Sequence, residues 1–291
     1  MSLAESHEYR RRRARLSQAF AIVCMLATVL SVFVLVLLLA AILYQGLPWL
    51  TGQFLTNFPS RFPEKAGIKP ALVSSVWLIM LTAVFSVPIG VGAAIYLEEY
   101  AGRSRWRNLV QLNIANLAGV PSIVYGILGL GLFVRALALE RSILAGALTL
   151  TLVVLPMIIL AAQESLRAVP DSIRRASYAL GATRWQTVRY QVLPAAVPGI
   201  LTGVILSISR ALGEAAPLVA LGAATFITFV PVSPADEFAA LPVQIFDWAS
   251  RPQPEFHHVA AAGIIVLLTV MMLLNATAVY LRYRYGQRIR W

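Results

Sequence analysis

Residues 170–194 read PDSIRRASYALGATRWQTVRYQVLP, and residues 195–218 read AAVPGILTGVILSISRALGEAAPL. A charged double-helical hairpin therefore runs directly into an apolar span that holds one arginine and one glutamate. In the first helix Asp171 follows Pro170 as the N-cap, and Ile173, Ala176, Ser177 and Leu180 fall on one face at helical spacing. Gly181 supplies the left-handed stop, and Thr183 with Gln186 three residues on is a capping box that starts the second helix. That helix sets Trp185, Val188 and Val192 on one face with Arg184 and Arg189 beside them, and Leu193-Pro194 is expected to close it. Periodicity alone fits two uses, an amphipathic loop on the membrane surface or an element that docks into a groove.

Composition decides the setting of this hairpin. With 291 residues, 59% hydrophobic and 13% charged, the chain is far too apolar for a soluble protein of its length and reads as a polytopic, all-α membrane protein. About six spans of roughly 20 residues, enough for a hydrocarbon core of about 30 Å, fall at 20–44, 72–96, 112–134, 143–162, 197–224 and 259–280. The net charge of +11 would suit nucleic acid, but the arginines sit between hydrophobic runs, so lipid is the expected partner and nucleic acid is not. Seventeen Lys and Arg lie on the side of the tails and the hairpin, six on the other, and Arg210 is the last of the 24. The positive-inside rule then makes both termini and the hairpin cytoplasmic.

The four arginines at 10–13, with Arg15, stand directly before a span and so fix topology and meet anionic lipid. The first apolar run is too long for a signal-peptide core and lacks a cleavage pattern, so it is expected to remain as a helix. Cys24 is alone, which excludes a disulfide, and the adjacent His257 and His258 face different ways, a poor metal site. Tyr44 and Trp49 mark the outer interface, and 51–70, with Pro59, Pro63 and Pro70, is an extracytoplasmic loop. Glu98, Glu99 and Arg103 stand at the cytoplasmic exit of the second span.

Two spans carry polar groups. In the third, Asn113, Asn116, Ser122 and Tyr125 need partners or water within lipid, and Pro121 removes a backbone donor beside them. They either bond neighbouring helices or line a polar path at a broken helix. In the fifth, Arg210 lies about 20 Å past the cytoplasmic start. Insertion there costs about 2.5–3.5 kcal/mol unless compensated. Glu214, four residues on, is the obvious partner. An ion pair alone would leave several guanidinium donors over, in a fork geometry that suits a tetrahedral oxyanion. The chain's only two lysines, Lys65 and Lys69, follow no glycine-rich phosphate loop, so any ATPase must be another polypeptide.

The spacing from Ala176 to Gly181 to Leu193-Pro194 resembles the EAA loop of ABC importer permeases, with Arg175, Ser177 and Gln191 departing from its Glu, second Ala and Ile. VPIGVGAAIYLEEYAG at 87–102, NLAGVPSIVYGILGLGLF at 116–133, RALGEAAPL at 210–218 and LPVQIFDWASRP at 241–252 extend the likeness. Together they resemble the PstA family of phosphate importer permeases. The resemblance implies a type I ABC importer permease with a MetI-like fold, which is a transporter subunit and not an enzyme. It further implies a PstC-like second permease, two PstB-like ATPase subunits that bind ATP with Mg, a PstS-like phosphate-binding protein, and no cofactor in this chain. ATPase coupling would fall to Asp171, Ala176, Gly181, Trp185, Leu193 and Pro194, and the substrate pathway to Arg210, Glu214, Asn116 and Ser122.

The chain would then divide into a basic cytoplasmic tail (1–19), a first helix with its outer loop (20–70), the permease domain (71–283, with the hairpin at 171–194) and a second basic tail (284–291), in a bacterial or archaeal plasma membrane. Sulfate or molybdate import is the near alternative. A secondary transporter or channel using Arg210 and Glu214 without an ATPase is the distant one.

Overall fold

Each long apolar run becomes a helix, because within hydrocarbon a lone segment satisfies its own N–H and C=O groups only by internal hydrogen bonding. A computed structural model describes residues 3–102 and 104–286. In chain order, α1 is Leu3–Gly46, α2 is the short Gly52–Thr56 and α3 is Lys69–Ile95. Next come α4 (Arg105–Ala118), α5 (Ser122–Gly129) and α6 (Ile143–Arg167). The hairpin is α7 (Asp171–Ala179) and α8 (Arg184–Thr187), and α9 (Leu193–Gly213), α10 (Ala216–Leu221), α11 (Leu241–Ala249) and α12 (Pro254–Gly286) follow. Among the described residues the only β-pairing is an isolated antiparallel bridge between Ser142 and Glu237. Arg103, residues 287–291 of the C-terminal tail, and the side chains of Arg10, Arg11, Arg12 and Arg15 lie outside what is described.

Five helical stretches are long and apolar enough to cross a membrane, and a sixth is a pair, Arg105–Ala118 and Ser122–Ala136, bent by 100°. Of the two readings open for the span over 112–134, the structure takes the broken one. Pro121 lacks an N–H and disfavours helix at Val120, so the chain turns at 119–121. The Leu117 carbonyl, which has no Pro121 N–H to accept from, accepts instead from Val120 N–H at 3.1 Å and from the Tyr125 hydroxyl at 2.8 Å.

The expected span over 197–224 is corrected to a broken one. Its helix stops at Gly213, Glu214 is extended (φ −79°, ψ 108°), and a separate α10 begins with Pro217 near its start. The two breaks meet: a Cβ on Gly126 would lie 2.7 Å from both Pro217 Cα and Ala220 Cβ, so glycine is what lets α5 lie against α10.

At the centre α6 runs beside α3, with Ile79, Val154 and Ile158 buried between them and against α9. Gly199 of α9 approaches Ser165 so closely that a Cβ would sit 2.7 Å from its Oγ. On its other side α9 is tied to α12 by a hydrogen bond between Ser209 and Asn275 and by one from Arg282 Nη1 to Thr202 Oγ1 at 2.8 Å. The stretch between α1 and α3 is also folded. Phe54 of α2 packs against the fully buried Trp248 of α11 at 5.9 Å between ring centroids, and Leu241 N–H donates to Ser75 Oγ at 2.8 Å. The apolar stretch of α1 is exposed along its span, and α1 meets α12 at Gly46.

Candidate functional site: a hairpin joined to a membrane arginine

The hairpin is built much as its capping residues dictate. Gly181 has φ +81°, the left-handed conformation that favours glycine, and Ala182 N–H returns to the Ser177 carbonyl at 3.2 Å. Thr183 Oγ1 accepts from Gln186 N–H at 3.3 Å while Gln186 Oε1 accepts from Thr183 N–H at 2.8 Å, completing the capping box. The Ser177 and Thr187 hydroxyls, 2.9 Å apart, pin the two arms together.

Three expectations are corrected. Asp171 is not the N-cap but the first helical residue. Pro170, with φ −60° and ψ 139°, opens the helix, and the Asp171 carboxylate accepts from Arg174 Nη1 at 3.3 Å. The expected apolar faces split, with Ile173, Val188 and Val192 packed inward while Ala176, Leu180 (90% exposed) and Trp185 (56%) stand out. Finally, Leu193-Pro194 does not end the helix. Residues Val188–Val192 form a π turn, in which Leu193 N–H bonds the Val188 carbonyl, and α9 continues from it. The widened turn makes room for the Pro194 ring where a regular helix would clash with it. The result is one helical stretch, Arg184–Gly213, of 30 residues.

Arg210 lies one turn from the far end of that stretch. Its Nε donates to Glu214 Oε1 at 3.1 Å, and its Nη1 approaches Met157 Sδ at 3.5 Å. Glu214 is mostly buried (17% exposed), whereas Arg210 is 52% exposed, and its Nη2 has no partner among the described residues. The pair therefore leaves guanidinium donors over on a side chain that the described residues leave about half exposed. Asn116, exposed, ends α4 and Ser122, half-buried, begins α5 on either side of the break at 119–121. Neither side chain bonds Arg210 or Glu214. What approaches the arginine's helix end is instead the backbone contact of α5 with α10.

Sequence reasoning missed the ionic network at the hairpin's base. The end of α3 passes into a π turn, Tyr96–Tyr100. There Glu98 accepts from Arg107 at 3.2 Å and from Arg167 at 2.5 Å, while Glu99 accepts from Arg174 at 2.7 Å. These groups border a cleft of about 620 Å³ between the hairpin and the ends of α3 and α6. The signal available was the adjacent acidic pair, conspicuous in a chain with 13 acidic residues. The partner 75 residues away was not visible. Asn275, the partner of Ser209, was likewise passed over within an apolar span.

Residues 86–291 match the family described as "Binding-protein-dependent transport system inner membrane component". The phosphate transport system permease protein PstA of Yersinia pestis is 34% identical over 284 residues, covering 95% of this chain and 94% of that protein. A probable ABC transporter permease protein, YqgI of Bacillus subtilis (strain 168), is 32% identical over 260 residues, covering 85% and 88%. Among solved structures, an inward-facing MetNI methionine ABC transporter chain aligns with a TM-score of 0.61 at 17% identity, covering 75% of this chain and 95% of that one, a likeness of fold.

Proposed function

The chain belongs to the family of inner membrane components of binding-protein-dependent transport systems, and on that footing we propose that it is a permease subunit of an ATP-driven phosphate importer. It is a multi-pass transporter subunit, not an enzyme. Permeases of this family work with an ATPase and a substrate-binding protein. The finer assignment is a PstC-like second permease, PstB-like subunits that bind and hydrolyse ATP with Mg, and a PstS-like donor of phosphate. The permease domain is 71–283, no cofactor belongs to this chain, and both termini face the cytoplasm of a prokaryotic cell.

The observation that carries this reading is the continuity of Arg184–Gly213. At 1.5 Å per residue it is a rod of about 45 Å. One end emerges from the hairpin whose exposed Ala176, Leu180 and Trp185 offer a docking surface. The other carries an arginine with spare donors. A stroke delivered to the hairpin is thereby delivered to Arg210 without crossing a flexible joint. Asp171 and Gly181 shape the hairpin, Leu193 and Pro194 belong to the rod, and Asn116 and Ser122 flank the neighbouring break on the pathway. Phosphate is favoured because the relatives that bear that name match along almost the whole chain.

The test is uptake of radiolabelled phosphate by cells carrying the full complex, with sulfate and molybdate as competitors. ATP-dependent uptake resisted by neither competitor at equal concentration is expected. Uptake abolished by sulfate or molybdate would reassign the oxyanion, and uptake by this chain alone would favour a secondary transporter.

A further inference from the structure

We propose that Arg174 is the positioning residue that carries movement of the coupling hairpin into α3 and α6, through the buried carboxylate of Glu99; the inference rests on the importer reading above. A guanidinium has five N–H donors in a rigid fork, and here every one is engaged. Nε and Nη2 both reach Glu99 Oε1, at 3.2 and 2.7 Å. The second Nη2 donor goes to the Leu166 carbonyl at 2.9 Å, and the Nη1 donors go to the Val169 carbonyl at 2.7 Å and to Asp171 Oδ1 at 3.3 Å. One side chain of α7 thus holds the end of α3, the last turn of α6 and the link between α6 and the hairpin.

The receiving side is equally committed. Glu99 is almost fully buried, in a π turn closed by Ala101 N–H on the Tyr96 carbonyl at 2.8 Å. The adjacent Glu98 is bonded to Arg107 of α4 and Arg167 of α6. A displacement of Arg174 therefore cannot be absorbed by rotating Glu99 alone, because its neighbour is held by two further helices. Arg175, the next residue, is exposed and makes no ion pair among the described residues. The contrast separates a residue facing outward from one facing inward to the membrane helices. The hairpin's other attachment, Val188 and Val192 at the base of α9, moves the rod. The Arg174 attachment moves the remaining helices with it, so that the pathway opens as a unit instead of α9 sliding past α6.

The experiment uses the complete complex in proteoliposomes loaded with ATP and Mg, and measures phosphate transported per ATP hydrolysed, normalised to assembled complex, for wild type, Arg174→Gln, Arg174→Lys and Glu99→Gln. Arg174→Gln and Glu99→Gln are expected to assemble and hydrolyse ATP, while phosphate moved per ATP falls at least about fivefold, the low end of a typical coupling factor. Arg174→Lys, which keeps the charge but has only three donors, should fall between them and wild type. A merely structural brace would lower the amount of complex and leave the ratio unchanged. An unchanged ratio in both Gln variants, or failure of both to assemble, overturns the proposal. A wild-type complex that hydrolyses ATP but moves no phosphate would instead overturn the importer reading on which it stands.

Discussion

Two arginines at opposite ends of the coupled helical unit are treated in opposite ways. Arg174, at the base of the hairpin, has all five donors engaged by two carboxylates and two carbonyls of its own chain. Arg210, within the membrane region, has one carboxylate, one sulfur contact and half its surface open. Both carry the same charge, and both would be costly to leave unpaired in a low-dielectric setting. The difference teaches that pairing and saturation are separate properties. A saturated guanidinium is a strut, whereas a paired but unsaturated one is held in place with donors left for something that is not part of the chain.

The comparison breaks most visibly at Arg210 itself. Arg210→Met strands the mostly buried Glu214, and the expected cost is about 3 kcal/mol, the low end for a broken pair because the arginine is half exposed. Reduced membrane-inserted complex on quantitative immunoblots, accompanied by loss of uptake, is the expected result; normal amounts would mean that Glu214 finds another partner.

Next in size is the meeting of the two broken spans. Gly126→Leu forces a side chain into the backbone of Pro217 and the methyl of Ala220, an overpacking cost of about 1–3 kcal/mol. A fall in the thermal midpoint of the purified complex checks it, and an unaltered midpoint would show that α5 and α10 separate freely. At the hairpin, Gly181→Val places a β-branched residue at φ +81°, costing about 1–2 kcal/mol locally. Because the turn is exposed and nothing stands near its Cβ, insertion should be normal while transport-linked ATPase activity drops. Full activity in that variant would reduce the hairpin to a surface loop. The smallest effect belongs to Thr183→Ala, which removes half of the capping box for about 1 kcal/mol or less. A modest loss of ATPase stimulation without loss of assembly is expected, and none at all would mean that docking on a partner holds the second helix without its cap.

These particulars also show how far residues alone could lead. The spans were legible because runs of about 20 apolar residues have few other uses, and the hairpin was legible because Gly181, Thr183 and Gln186 have specific conformational roles. The break at Pro121 could be foreseen as one of two readings. The break at Glu214 could not, since Gly-Glu-Ala-Ala reads as ordinary helix until Pro217. Pro194 misled for the opposite reason: proline ends regular helices, and only the π turn before it lets this one continue. The Arg210 and Glu214 pairing followed from a four-residue spacing. The Glu99 and Arg174 pairing joins segments 75 residues apart and depends on the π turn at Tyr96–Tyr100, which no local pattern announces.

The most direct test of the difference between the two arginines removes the charge of Arg210 and its partner together. Arg210→Met with Glu214→Gln abolishes the pair without stranding either group, so the complex should assemble at wild-type levels. Radiolabelled phosphate uptake, measured in cells expressing this double variant with the full set of partner subunits and normalised to inserted complex, should fall to background if the spare donors of Arg210 serve the passing oxyanion. Uptake at the wild-type rate would contradict that account and leave Arg210 a structural residue.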